Sequence, residues 1–397
     1  MANILEHGHR PFLNQDAATE SGAALGVCPG VALSHSPDIR SLSGVIPELF
    51  DGWGPVLAVW EGYASDKAIR LAGSSGGLAT ALSVYCLEQL GMSGALHTAA
   101  HVDTPYLNET VLSTSRAQML ARAGSRYSPA SPAAGLAMIE EADFPCVFVG
   151  KPCDVAAVQK VRILRSDLDR KLGLVIAFFC AGVPSTKGTL DLLRANGVDD
   201  LEGVKDLRFR GNGWPGLWVA RFKNRVGENE TRQMTYADSW GFLQKYRQWR
   251  CYICPDHTGE FADIAVGDPW YRKIDSDEPG KSLIVARTAR GMEIIQAAVA
   301  AGYVVLENRD PTLLPKSQQN LLATRSALWG RLLALRLGGA PLPKYEGFSL
   351  FKLWLRELTI REKMQSLYGT VKRMVSKELR KKIQPKKWLP PSRRSAS

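Results

Sequence analysis

Seven cysteines mark the sequence, and four of them, Cys153, Cys180, Cys251 and Cys254, stand where a thiolate could meet a cofactor. Cys251 and Cys254 form a Cys-x-x-Cys pair followed by Pro255, a spacing shared by redox disulfides, half zinc sites and half iron–sulfur sites. No second Cys-x-x-Cys and no His pair at finger spacing completes a zinc ribbon. Cys153 follows the apolar run Cys146–Gly150 through Lys151 and Pro152, and Cys180 ends the run that starts at Leu172. If both runs are strands, each delivers a thiol to the carboxyl edge of the same sheet, where open α/β folds bind ligands. Four thiolates are the usual set for one [4Fe–4S] cluster. For each cysteine alone, a buried packing role stays open. Cys86 and Cys146 read as core residues, the first inside a helix and the second inside a strand.

A second chemistry-bearing segment is Arg70-Leu71-Ala72-Gly73-Ser74-Ser75-Gly76-Gly77-Leu78-Ala79-Thr80. A small, hydroxyl-rich turn runs straight into a helix, whose free first-turn amides and positive dipole end suit an anion. Gly76 and Gly77 permit close approach of a phosphate, and Ser74, Ser75 and Thr80 can donate to it. The same residues also describe an ordinary capped helix packed through small side chains.

These residues need a frame, and the sequence supplies one. Apolar strands expected at Val56–Trp60, Ala95–His101, Cys146–Gly150 and Leu172–Cys180 alternate with helices at Ser75–Leu90, Ala133–Glu141, Asp154–Leu164 and Lys187–Asn196. That alternation predicts an α/β fold with a mostly parallel sheet covered on both faces. Beyond Asp200 the pattern shifts towards α+β: Val204–Phe209 and Leu217–Phe222 flank the turn-rich Gly211–Gly216, and strands follow at Ala262–Val266 and Leu283–Ala286. A helix is expected over Gly291–Ala301, a closing helix pair over Leu314–Leu337, and a helical tail after the Gly- and Pro-rich break at 338–343. The division reads as a loop-like segment 1–50, an α/β domain 51–200, an α+β domain 201–340 carrying the Cys-x-x-Cys, and a tail 341–397.

Charge narrows the function classes. From residue 351 onward there are 14 Lys and Arg against 3 Glu, which accounts for the whole net charge of +11. The body is near neutral, so it offers no field for nucleic acid. Phe351, Trp354, Leu355, Leu358, Leu367, Val371, Met374, Val375 and Leu379 approximate a helical apolar stripe among the tail's basic residues. Such a helix packs on the body, lies on an anionic membrane surface or docks on a partner protein. The start lacks the apolar core of a secretory signal and no run of eighteen apolar residues occurs, so a cytoplasmic protein, at most peripheral to the inner face of the membrane, is expected. There thiols stay reduced, and cysteines serve packing, metals or catalysis.

Several segments in register resemble the coenzyme F420 hydrogenase/dehydrogenase beta-subunit family. Ser74-Ser75-Gly76-Gly77, Ser125-Arg126-Tyr127, Gly150-Lys151-Pro152-Cys153 and Phe179-Cys180-Ala181-Gly182 are similar to its N-terminal part. Arg208–Gly216, Cys251-x-x-Cys254 and Ala262–Asp268 are similar to its C-terminal part. The resemblance implies an FAD- and [4Fe–4S]-dependent oxidoreductase, with the flavin bound by residues 51–200. It implies Ser74, Ser75, Gly76, Gly77 and Thr80, with Arg70, at the FAD pyrophosphate, and Ser125 and Tyr127 along the flavin or its adenosine. Lys151 is the expected catalytic residue, a positive charge beside the isoalloxazine, and Arg210, Asn212 and Trp214 are expected as a lid over flavin or acceptor. Cys153, Cys180, Cys251 and Cys254 would ligate the cluster. Many relatives open with a second, ferredoxin-like ligand set; this chain has only Cys28 before residue 80, so one cluster is expected and residues 1–50 read as a remnant of that region. The redox partner is left open between a ferredoxin and a deazaflavin. The alternatives are a non-enzymatic scaffold of membrane-associated polysaccharide synthesis that keeps the fold, and a zinc-stabilised nucleotide-binding protein.

Overall fold

The computed structural model describes residues 2–11, 21–272, 278–381 and 387–390. Eight strands build the central sheet: β1 (Ala58–Ala64), β2 (Ala95–Ala100), β3 (Asn108–Ser113), β4 (Cys146–Gly150), β5 (Leu172–Phe178), β6 (Ile264–Gly267), β7 (Ser282–Ala286) and β8 (Val304–Leu306). Their spatial order is β8-β1-β7-β6-β5-β4-β2-β3. The centre β2-β4-β5-β6 is parallel. β7 is antiparallel to both β6 and β1, so β1 points the same way as the centre, and β3 and β8 form antiparallel edges.

Burial on both faces explains why the central strands read as unbroken apolar runs. Along β5, Leu174 and Ile176 join the core under α1 (Leu78–Gln89), while Val175 and Ala177 join the core under α2 (Pro152–Arg162). A third cluster packs α3 (Thr186–Ala195), through Leu190 and Leu193, onto an antiparallel sheet of Val204–Arg208, Leu217–Lys223 and Asn229–Thr235. Trp218 is its largest fully buried side chain. α4 (Ala289–Ala300) returns to the central sheet beside α1.

The expected boundary near residue 200 does not separate two sheets. β6, β7 and β8 come from the C-terminal half and complete the sheet begun by the N-terminal half, because β5 lacks a partner on one side until β6 arrives. The three-stranded antiparallel sheet stands apart from the central sheet.

Among the first fifty residues, the described ones include paired strands that their composition does not suggest. Ala2–Ile4 pairs with Gly8–Arg10, and Ala32–Ser34 pairs in parallel with Lys344–Glu346 from the far end of the chain. After α5 (Leu328–Leu337) and α6 (Leu350–Glu357), α7 (Ile360–Ser376) starts on a capping box: Thr359 Oγ1 accepts from the Glu362 amide and the Glu362 carboxylate accepts from the Thr359 amide. α7 lays Ser366, Thr370 and Met374 against α5, and Trp354 Nε1 donates to Ser366 Oγ at 3.1 Å. The apolar stripe expected along the tail is therefore split: Met374 is buried, whereas Val371 and Val375 face outward. The end of the chain beyond residue 390 lies outside the described residues. Among the described residues no helix is long and apolar enough to cross a membrane.

Candidate functional site

The carboxyl ends of β4, β5 and β6 open onto a cleft of about 290 Å³. One wall is the turn before α1. Gly77 takes a left-handed φ of 75° and no side chain caps the helix, so the amides of Leu78, Ala79 and Thr80 lack intrahelical acceptors where these residues line the cleft. The turn is fixed from outside: Gly76 N donates to Ser282 Oγ at 2.8 Å, Ser75 Oγ and Ser282 Oγ lie 2.7 Å apart, and Ser74 Oγ accepts from Ser125 N at 2.8 Å. Gly76 packs so closely that a Cβ there would lie 2.7 Å from Gly62 O and 2.8 Å from Ser282 N.

The opposite wall is polar and aromatic. Arg210 makes a two-pronged pair with Asp268 at the end of β6, with bonds of 2.8 and 2.9 Å, and also donates to Pro215 O and Ser74 O. Burial works against the Arg210 charge, but Asp268 outweighs it and holds the guanidinium pKa well above its usual value. Tyr236 lies beneath this guanidinium at 4.4 Å and stacks on Trp270 at 5.9 Å. Trp240 stands 5.0 Å from Tyr127. At the floor, Lys151 Nζ pairs with Asp154 Oδ2 at 2.5 Å. Burial opposes its charge too, yet Asp154 and the nearby thiols keep the Lys151 pKa raised.

Behind the cleft lies a smaller cavity of about 70 Å³, lined by Cys153, Cys180, Cys251 and Cys254. Cys153 sits in the first turn of α2, Cys180 just past β5, and Cys251 in the short helix Trp249–Tyr252. Gly182, at a φ of 129°, brings the loop after Cys180 against Cys251: a Cβ there would lie 3.2 Å from Cys251 Cβ and closer still to Arg247. Cys180 N donates to His257 O at 2.9 Å, and Val183 N reaches Cys251 Sγ at 3.4 Å. Burial pushes the Cys153 thiol up to about 11, and neighbouring thiols add to the rise at Cys153, Cys180 and Cys254. Arg250 faces Cys153, Cys251 and Cys254, which raise its pKa. Cys180, Gly182 and Val183 line both cavities, so a single loop is the partition between them.

Among the described residues no group of three or more His, Cys, Asp and Glu side chains is placed to hold a metal ion. The four thiols share the lining of one small cavity. His257 Nε2 is buried beside that space without a partner, and the surrounding Pro152, Pro255, Leu33 and Ile253 are apolar. Cys86 and Cys146 are fully buried in the core, with the Cys86 thiol raised by burial to about 12. Cys28 does not line the cavity of the four, although its neighbours Pro29 and Gly30 do.

Two family models match this chain, and both describe the beta subunit of coenzyme F420 hydrogenase/dehydrogenase. The model of its N-terminal part covers residues 59–137, and the model of its C-terminal part covers residues 145–312. The chain belongs to the coenzyme F420 hydrogenase/dehydrogenase beta-subunit family. Coenzyme F420 hydrogenase subunit beta of Methanosarcina barkeri is 27% identical over 60% of this chain and 77% of its own length. F420-dependent formate dehydrogenase 1 subunit beta of Methanococcus maripaludis is 25% identical over 62% of this chain and 61% of its own length. A chain of the F420-reducing [NiFe] hydrogenase complex from Methanosarcina barkeri shares the fold, with a TM-score of 0.52 over 69% of this chain and 91% of that one, at 24% identity. The family places this chain among redox-enzyme subunits. Both family models end before α5, so the α5–α7 region is an addition to what they describe.

Of the residues expected at the cofactor, Ser74, Ser75, Gly77, Thr80, Ser125, Tyr127, Lys151 and Arg210 line the cleft. Arg70, Gly76, Asn212 and Trp214 do not. Arg70 lies over the Tyr63 ring at 3.6 Å and donates to Gly280 O, which anchors the turn from behind. Gly76 spends its amide on Ser282. Asn212 is exposed in the loop, whereas Trp214 is buried and donates to Asp268 Oδ1 at 2.9 Å. Arg210 is thus part of the cleft wall, and Trp214 braces Asp268 from outside the lining. Sequence reasoning missed Arg122, His97, Tyr236, Trp240 and Trp270, which line the cleft from four separate segments, Tyr236 and Trp240 sharing the helix Tyr236–Gln244. The one available signal was Asp268, at the end of an apolar run and in need of a cation.

Proposed function

We propose that this chain is an oxidoreductase subunit holding FAD in the cleft and one [4Fe–4S] cluster on Cys153, Cys180, Cys251 and Cys254. The observation that carries this reading is the shared partition: Cys180, Gly182 and Val183 face the cleft on one side and the thiol cavity on the other. When bound, the flavin supplies two-electron chemistry and the cluster one-electron storage.

The protein's own groups have definite work in this arrangement. The uncapped amides of Leu78, Ala79 and Thr80 would take the FAD pyrophosphate, helped by the hydroxyls of Ser74, Ser75 and Thr80. Lys151 keeps a positive charge at the cleft floor while Asp154 fixes where it sits. Arg210 and Asp268 hold the turn, the end of β6 and the aromatic wall in one geometry. Trp270, Tyr236 and Trp240 offer flat apolar faces to a planar acceptor, and a deazaflavin suits them better than a ferredoxin, which would dock outside. Val149, Phe178 and Phe179 add apolar surface to the lining of the cleft.

Protein purified without oxygen should be yellow-brown, with flavin absorbance and about four irons per chain. Zinc with no flavin would instead support the nucleotide-binding alternative and overturn this reading. A second measurement isolates the turn. Gly76→Val forces a side chain into the Gly62 and Ser282 backbones, so the turn must shift, at a cost of about 1–3 kcal/mol. Flavin retention after gel filtration should fall at least several-fold while iron content stays unchanged. Equal loss of flavin and iron would mean that the whole sheet edge, and not the turn, had been disturbed.

A further inference from the structure

α7 presents an apolar face that the body of the protein does not cover. Ile360, Met364, Tyr368, Val371 and Val375 are between 43% and 81% exposed. Their spacing of four, four, three and four residues confines them to an arc of about 80° along about 22 Å of helix. The buried face, with Ser366, Thr370 and Met374, is a different one, so α7 is held by α5 while it shows this stripe outward. Arg361 and Lys372 are exposed and follow Tyr368 around the helix, bordering the stripe on its solvent side. α6 adds Phe351 and Leu355, four residues apart and both about half exposed.

We propose that α7, with α6, is an interfacial anchor that lays this stripe into the headgroup boundary of an anionic lipid bilayer. Charge selects the occupant. The region from residue 351 onward carries 14 Lys and Arg against 3 Glu, on a body that is otherwise near neutral. A second copy docked on the same face would bring like charge against like, which disfavours a symmetric dimer. The stripe is one face of a single helix, away from the cleft and the thiol cavity, and a fluid lipid boundary accommodates such a shape. Basic residues bordering an apolar face are what an anionic surface attracts. α7 also lies outside the part of the chain that the family models describe, so the anchor is independent of the cofactor reading.

Co-sedimentation of the full chain with lipid vesicles tests this. Wild type should bind phosphatidylcholine vesicles containing phosphatidylglycerol at least tenfold better than pure phosphatidylcholine, and added salt should weaken that binding. Met364→Glu with Val371→Glu, both at exposed positions, should reduce binding about tenfold with unchanged circular dichroism and elution volume. Arg361→Glu with Lys372→Glu should cut binding to the anionic vesicles several-fold and leave the weak binding to pure phosphatidylcholine as it was. Failure of wild type to bind anionic vesicles at low salt overturns the proposal, as does binding that Met364→Glu with Val371→Glu leaves intact. A concentration-dependent dimer that this double substitution abolishes, without vesicle binding, assigns the stripe to a second copy instead and also overturns it.

Discussion

Serine in place of Cys153 should take the iron from about four per chain to less than one, the largest change expected of any single substitution in this protein. Cys153 lines the thiol cavity and not the cleft, so flavin retention should survive the change. Cys180→Ser should behave differently, because Cys180 faces both spaces: iron is lost and the flavin spectrum shifts as well. Cys86→Ser provides the comparison, since Cys86 is buried within α1, lines neither space and should leave the iron in place. Iron analysis and visible absorbance of the three variants, purified without oxygen, read all of this. Full iron in Cys153→Ser would sink the four-thiol assignment.

The second large effect concerns stability. Glu260 is fully buried between His35 and Arg325: His35 Nε2 lies 2.7 Å from Glu260 Oε2, and Arg325 Nη1 pairs with the other oxygen. Burial alone would raise the Glu260 pKa, but Arg325 and His35 reverse this and hold it at about 2. A folded-state pKa below the unfolded value of 4.5 means stability present above pH 4.5 and lost as pH falls towards 2, worth about 3 kcal/mol. Glu260→Gln removes the charge and leaves the Arg325 guanidinium buried against a neutral amide. Denaturant melts at neutral pH should show a loss of about 3–5 kcal/mol. The variant should also lose less stability than wild type between pH 4.5 and 3. A loss below about 1 kcal/mol would mean that water reaches Arg325.

These two predictions differ in how far the sequence foreshadowed them. Cys153 and Cys180 were legible because β4 and β5 are apolar runs buried on both faces, and a residue just past such a run lies at the sheet edge by topology alone. Cys251 and Cys254 were legible as a local pair. The Glu260 cluster was not, because His35, Glu260 and Arg325 come from three distant segments and none has a local pattern. The same holds for Arg210 with Asp268, which join residues 58 positions apart across the cleft. Asn229–Thr235 escaped notice because its residues are almost all polar; it is an exposed edge strand that alternates nothing. The change of local pattern near residue 200 marks the start of the separate antiparallel sheet, whereas the later strands β6, β7 and β8 return to the central one, a pairing with no local signature.

The parallel pairing of Ala32–Ser34 with Lys344–Glu346 bears on the order in which the molecule can be made. Leu33 and Pro29 form one side of the thiol cavity and Tyr345 another, with Tyr345 OH donating to Ile253 O at 2.8 Å. These walls are about 300 residues apart in the chain, a separation whose closure comes late in folding. During synthesis the sheet and its four thiols can assemble while the cavity still lacks the wall supplied by Tyr345. If the four thiols hold a cluster, as proposed above, metal delivered at that stage would meet a pocket still open on that side. Pairing of the two distant strands would then be the step that seals it, so that maturation and completion of the fold would be coupled through one short pair of strands.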